Sequence, residues 1–363
     1  MSLSVWMLVA VCLGGCSQIE PSLGVSDTRR IDTAGGMVEY LQQAKLPAVR
    51  SVQIWSKEYG EGLVLVTDHY DIHTTLLDPL MLSQLPAFME GAYRGYNNQL
   101  PEPIETTTRL RIYLFAERGQ WEDFTKGFAG EQAELFLKIK AGAYYLNGAV
   151  VAYNIGRERT FSVLGHEGWH QFNSRHFQFR LPSWLDEGIA MLFEVHRSDR
   201  GEFHFEPGRN LYRLGALKKT LAKNKMMPLK HLIAMNPGEA LATDEAEAVL
   251  AFYGQSYALV RFLREEGYGK RLADYHQLLL DGLEGKWPLG RIGSRIAADR
   301  NIPMTVQWNR AVGLLLFKRY IGDDFEQIEK EYVAFCRKLV YHIRLKTQDR
   351  RQKTEDRRVK TKD

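Results

Sequence analysis

The first half of the chain alternates or clusters its apolar positions in the manner of strands. Residues 52–55 (Val-Gln-Ile-Trp) and 63–66 (Leu-Val-Leu-Val) read as two of them, and the pattern continues through His69, Tyr70, Ile72 and His73. Residues 80–96 read as a helix weakened by Pro86 and Gly91. Residues 109–115 alternate as a half-buried strand does. At 143–153, Asn147-Gly148 separates two apolar, β-favouring runs, the strongest short-range hairpin signal. The period then lengthens: 160–172 is an amphipathic helical segment, another helix starts at Ser183, and beyond Tyr212 the pattern is mainly helical. Its clearest helices are 255–266 and 325–343. In the latter, Phe325, Ile328, Tyr332, Phe335 and Leu339 share a face, Asp323 or Asp324 can cap the start, and Cys336 falls on a flank. The fold class is therefore α+β, with a mixed-sheet amino-terminal lobe over about 49–175 and a mainly helical lobe over about 176–343.

Composition adds bounds. With 363 residues, 45% hydrophobic and 25% charged, the chain is long enough for one large two-lobed unit or two modest domains with a sizeable core, and is neither collagenous, disordered nor polytopic. The net charge of +4 is local: residues 344–363 hold nine Lys or Arg against four acids. That tail reads as solvated and disordered, and the body shows no electrostatic footprint for nucleic acid.

Residues 1–15 form a short apolar run ending in small residues, a signal-peptide pattern too short to span a membrane. Leu13-Gly14-Gly15-Cys16 resembles the bacterial lipobox, which implies cleavage before Cys16 and a lipid on its thiol; an ordinary apolar terminus is the alternative. The run lacks the usual Lys or Arg at its start. Ser17, rather than Asp, after the cysteine resembles the outer-membrane sorting pattern, so the expectation is an envelope protein on the outer membrane facing the periplasm. Cys12 leaves with the peptide, Cys336 remains without a partner, and residues 16–48 serve as tether and lead-in.

The chemistry concentrates where the two lobes meet. His166-Glu167-Gly168-Trp169-His170 is an H-E-x-x-H segment. On a helix His166 and His170 lie one above the other and can offer two imidazole nitrogens to one ion, while Glu167 can take a proton from a water beside it. Gly165 and Gly168 each cost about 1 kcal/mol relative to Ala inside a helix, so the sequence implies close approach of a sheet or room for a substrate. A catalytic zinc (Zn2+) takes three protein ligands. Two residues compete for the third place. Glu187 stands in the first turns of the helix at 183, where Ser183 and Asp186 have capping-box spacing; His176 completes the spacing of a three-histidine motif, with Asn173 in place of its glycine.

HEGWHQF followed by WLDEGIA resembles the gluzincin metallopeptidases. The chain is closer still to bacterial envelope proteins with a peptidase-like domain, in which HExxHQ, PxWLxEGxA and YxQSxALVxFL occur in that order; the last is here residues 253–263. The resemblance covers roughly residues 60–340. It implies a zincin-like fold with an active-site helix, His166, His170 and Glu187 as zinc ligands, and Glu167 as the base. Two departures stand out. The interval between His170 and Glu187 is two residues shorter than in the aminopeptidases, and the acid that commonly follows the third ligand by four residues is Met191 here. Glu194, on a neighbouring part of the same face, can steady a histidine instead. Tyr253, preceding a helix that the resemblance places near the metal, is the candidate oxyanion donor, with a core tyrosine as the alternative. In this architecture the strand before the metal helix lies at a sheet edge, so residues 150–154 are expected to pair with an extended peptide.

These readings converge on a zinc-dependent peptide-bond hydrolase, lipid-anchored at Cys16, acting on peptide or protein substrates. The alternative is a non-catalytic zincin-fold lipoprotein that binds an envelope polymer or protein partner. His69, Asp71 and His73 suggest a second metal site, but a polar sheet face accounts for them. Trp169 and Trp184 are expected to pack the two ligand-bearing helices together.

Overall fold

The computed structural model describes residues 31–344, apart from 56–57, 107, 141, 237–238, 240–245 and 301–305. The signal peptide, Cys12, Cys16 and the tail from residue 345 lie outside the described residues. Helix α1 (Ala34–Ala44) is capped by Thr33, whose Oγ1 accepts from the Gly36 amide at 3.2 Å, and it buries Ala34, Met37 and Leu41. This part of the lead-in thus belongs to the folded body.

The fold is mixed α+β, with the sheet in the amino-terminal part. Strands β1 (Ser51–Trp55), β2 (Gly62–Val66) and β3 (Tyr70–Thr74) form an antiparallel meander. Next to β3 come β4 (Leu110–Phe115) and β6 (Ala149–Tyr153), both parallel to it, and β5 (Ala143–Leu146) closes the sheet antiparallel to β6. The crossover from β3 to β4 carries α2 (Pro79–Asn97); that from β4 to β5 carries α3 (Arg118–Phe128) and the short α4 (Ala133–Phe136). Asn147 (φ 49°) and Gly148 (φ 81°) both occupy the left-handed region, the type I′ turn that Asn-Gly favours. All of β6 is buried. Val150 and Ala152 enter the main core, while Val151 and Tyr153 face Trp121 and Phe136 on the other side, which is why this run is apolar throughout instead of alternating. The expectation that residues 150–154 form the free edge is therefore corrected: at this end of the sheet the terminal strand is β5.

Helices α5 (Arg157–His176) and α6 (Ser183–Ala190) follow, then a 3-10 turn (Met191–Phe193) and the hairpin β7 (His196–Asp199)–β8 (Glu202–Phe205). The remainder is helical: α7 (Leu211–Ala222), α8 (Leu229–Ala234), α9 (Ala246–Glu265), α10 (Leu272–Leu283), α11 (Arg291–Ala298), α12 (Val306–Tyr320) and α13 (Phe325–Leu339). The helix expected at 255–266 starts nine residues earlier, and the one at 325–343 stops at Leu339 with Asp324 as its cap. Cys336 is fully buried, on the packed face of α13 and not its flank. One apolar cluster runs from Ala34 to Ile343, so the two lobes share a core.

Three attachments set the position of α5 and α6. Gln171 Nε2 donates to the Arg111 carbonyl of β4 at 2.7 Å and to the Gly148 carbonyl of the hairpin turn at 2.9 Å. In the link between the two helices, the amides of Gln178, Phe179 and Arg180 donate to the carbonyls of Leu283, Gly282 and Ala297, each at 3.0 Å. The Ser183 amide and hydroxyl both donate to Asn309 Oδ1, at 3.3 and 3.0 Å. On its other side α6 lies so close to α9 that a Cβ on Gly188 would sit 2.6 Å from the Ser256 carbonyl oxygen.

Candidate metal centre

Every residue of α5 from Val163 to Asn173 is buried, so polar side chains here face protein and not water. The two glycines let neighbours come close. A Cβ at Gly165 would lie 2.4 Å from the Phe193 carbonyl oxygen, and one at Gly168 would lie 2.3 Å from the Tyr96 hydroxyl. What approaches is thus the turn after α6 and a side chain of α2, not the sheet. Tyr96 also donates to the Gly165 carbonyl at 2.7 Å.

His166 and His170 have ring centroids 5.1 Å apart, and Glu187 on α6 faces both. Glu187 Oε2 is 3.4 Å from His166 Nε2 and 3.9 Å from His170 Nε2. Two ligands about 2.0–2.1 Å from one tetrahedral ion are themselves about 3.4 Å apart. Both Nε2 atoms and both Glu187 oxygens are buried with no hydrogen-bonding partner among the described residues. Four buried polar atoms turned toward one another with no hydrogen bond among them is a costly arrangement. A cation resolves it, and these three side chains could hold one: a ligand atom from each lies within 4.8 Å of the others.

The outer nitrogens are engaged by carboxylates. His166 Nδ1 is 3.0 Å from Glu194 Oε1, and His170 Nδ1 is 3.1 Å from Asp186 Oδ1. A proton on each Nδ1, donated to its carboxylate, leaves Nε2 free for the ion. Asp186 Oδ1 further accepts from Trp169 Nε1 at 2.9 Å and Asn173 Nδ2 at 2.6 Å. Its expected capping role is corrected: α6 starts after Pro182 without a side-chain cap, and Asp186 spends its bonds on α5. Glu194 does reach His166, though from beyond the 3-10 turn, since α6 ends at Ala190.

Sequence reasoning missed Asn210 and Arg213, which hold Glu194 from α7 and its cap. The available signal was an Asn at helix-capping distance before an Arg on an otherwise apolar stretch, which does not distinguish a buried cation from a solvated one. Trp169 ties α5 to α6 through Asp186, whereas Trp184 packs on Phe317 of α12.

Charge points the same way. Glu167, Asp186, Glu187 and Glu194 crowd the cluster, with the Arg213 guanidinium beside Glu194. Burial by itself lowers an imidazole pKa, yet Glu187 and Glu194 outweigh it at His166 and raise that group to about 9. Asp186, with Glu187 and Glu167, does the same at His170, to about 10. The site demands positive charge. Burial pushes the Glu167 carboxyl up to about 7, opposed by the two imidazoles and helped by Glu187 and Asp186. Tyr253 lies two turns inside α9, not before it; its hydroxyl is buried without a partner, and burial together with the Glu187 and Glu167 charges drives its pKa well up. It stands beside the cluster.

His176 does not join. Because α5 continues unbroken through Asn173, His176 lies about 15 Å along the axis from His166. Its ring sits against Phe172 and Tyr93 at centroid distances of 4.6 and 6.3 Å. The residues of the β3 segment are likewise occupied: His69 Nδ1 pairs with Glu90 at 2.7 Å, Asp71 pairs with Arg109 at 2.7 Å, and His73 packs on Trp55 and Tyr113. Among the described residues no second His/Cys/Asp/Glu cluster has ligand spacing.

The cluster is nearly closed. Glu187 is 1% exposed, Glu167 2%, His166 4% and His170 8%. No protein-family model matches the chain, and no curated protein matches its sequence.

Proposed function

We propose that the protein is a zinc-dependent peptide-bond hydrolase of the gluzincin type, with His166, His170 and Glu187 as ligands. The observation that carries this is the convergence of two Nε2 atoms and a carboxylate, all buried and unpartnered, with a second carboxylate, Glu167, next to the first ligand. Two imidazoles and one carboxylate are a donor set that zinc favours. The ion would polarise the scissile carbonyl and acidify water at the site. Glu167 takes the proton as water oxygen bonds to the carbonyl carbon, and delivers it to the amide nitrogen as the C–N bond breaks. A carboxyl raised to about 7 accepts and returns a proton near neutrality. Tyr253 supplies an uncommitted hydroxyl for the developing oxyanion. The position of β5 at the end of the sheet is compatible with an extended peptide as substrate, since a terminal strand can pair backbone to backbone. No helix among the described residues is long and apolar enough to cross a membrane. Anchoring in the bacterial envelope through a lipid on Cys16 belongs to the same proposal and rests on the sequence of the first seventeen residues.

One observation favours a second reading, a zincin-fold module that binds a partner without hydrolysis: the ligand cluster is almost sealed, whereas catalytic metal sites keep an open position. Elemental analysis of the purified protein and of Glu167→Gln, each assayed on a mixed peptide library, separates the two. Zinc in both with cleavage by the parent alone supports the hydrolase. Zinc in both without cleavage supports the binding module, and a parent that takes up no metal refutes both.

A further inference from the structure

Arg213 projects from the first turn of α7, a helix that contributes no ligand, and it is nine-tenths buried. A buried guanidinium is expensive unless its donors and charge are both met. Here one carboxylate meets the charge and two of the donors. Nε donates to Glu194 Oε2 at 2.9 Å and Nη2 to Glu194 Oε1 at 2.5 Å, a two-pronged contact that fixes the carboxylate plane as well as its position. Asn210, which caps α7, adds a third donor to Oε2 at 2.7 Å. The guanidinium is itself clamped, with its central carbon 5.1 Å from the Tyr212 ring centroid and 5.3 Å from that of Tyr253. The other end of Glu194 is the 3.0 Å contact with His166 Nδ1.

We infer that Arg213 is a positioning residue for the metal centre: by locking both oxygens of Glu194 it sets the rotation of the His166 ring and so the direction of the Nε2 lone pair. This rests on the metal reading of the site but not on hydrolysis. A rigid support matters because Glu194 follows a single 3-10 turn, Met191–Phe193, and has no helix of its own to hold it. Lysine cannot substitute. A Lys ammonium reaches one oxygen as a point charge and lacks the planar fork that holds both.

The test uses the full protein and cobalt(II), whose visible bands report ligand geometry. Arg213→Lys retains the charge beside Glu194 and is expected to fold as the parent does, by circular dichroism and a thermal melt. Its cobalt affinity is expected to fall about 10- to 100-fold, the usual cost of losing a partner of a metal-bound histidine, with altered band positions. Arg213→Met, which leaves Glu194 uncompensated, is expected to bind more weakly still. Parental affinity and spectrum in Arg213→Lys would overturn the inference and reduce Arg213 to charge balance. A parent that binds cobalt but cleaves no peptide, with Arg213→Lys still impaired in binding, would refute the hydrolase and leave this role intact.

Discussion

A methyl group at Gly188 tests how far the proposed metal centre depends on the fit of α6 against α9. In Gly188→Ala the new carbon would lie 2.5 Å from Val260 Cγ2, 2.6 Å from the Ser256 carbonyl oxygen and 3.2 Å from its carbon. Carbon contacts are comfortable at about 3.5–4.0 Å, so roughly 1 Å of separation must be found. Neither neighbour yields easily: valine is nearly confined to one χ1 in a helix, and the carbonyl belongs to the α9 backbone. Overpacking of this kind costs about 1–3 kcal/mol, offset by up to about 1 kcal/mol of helix propensity. A net loss of about 1–2 kcal/mol is expected in urea denaturation of chelator-treated protein. If α6 retreats, Glu187 moves with it, and a displacement approaching 1 Å exceeds the roughly 0.2 Å that metal–ligand distances tolerate. Zinc affinity, measured by competition with a chromophoric chelator, should then fall at least about tenfold. Gly215→Ala is the control: it lies within α7, nothing is within 4 Å of its added carbon, and a gain of up to about 1 kcal/mol with unchanged zinc affinity is expected. Parental stability and parental zinc affinity in Gly188→Ala would refute the reasoning.

Asp186→Asn retains an acceptor for Trp169, Asn173 and His170 but removes the charge, so zinc should bind about 10- to 100-fold more weakly while the fold persists; equal affinity by competition titration would remove Asp186 from the centre. Glu187→Ala should abolish stoichiometric zinc, and His176→Ala should leave it unchanged, as read by elemental analysis. His176 also carries an acid signature. Burial, with Arg175 and His69 adding, lowers it to about 4, so the native state binds fewer protons than the unfolded chain below the ordinary value of 6.5. Its contribution is whole above about pH 6.5 and lost as pH falls toward 4, and His176→Gln should flatten the stability profile in that window alone. Stripping the ion should lower the melting temperature: an ion present at about 100 times its dissociation constant stabilises the native state by about 2.7 kcal/mol, and a melt insensitive to chelator would argue that none is bound.

Much of the sheet was legible because alternation, or an unbroken apolar run, states directly which faces are covered. The Asn147-Gly148 turn was the plainest case, since its two left-handed positions are what that dipeptide tolerates. Strand order was not legible. Nothing in residues 143–153 says which arm of the hairpin meets β4, and the parallel pairing of β6 with β4 reverses the expected edge. At the site, the spacing of four between His166 and His170 is a property of any helix and could be read; the approach of Glu187 was reached through resemblance, and here the long-range bonds of the linking segment enforce it. Asp186 was misread because its spacing from Ser183 fits a local cap, and the competing partners Trp169, His170 and Asn173 are distant in sequence. The burial of Arg213 depends on helices packed around it, which no local pattern encodes.

The segment joining α5 to α6 bonds to carbonyls of Gly282, Leu283 and Ala297, and the first residue of α6 to the side chain of Asn309. During synthesis, both histidines and Glu187 leave the ribosome about a hundred residues before the groups that hold them in register. Loading with metal is therefore expected to follow completion of the chain. Truncated forms ending before Gly282 should bind zinc no more tightly than an unstructured peptide bearing the same HEGWH sequence, and a truncation that bound like the full protein would show that the carboxyl-terminal helices are dispensable for assembling the centre.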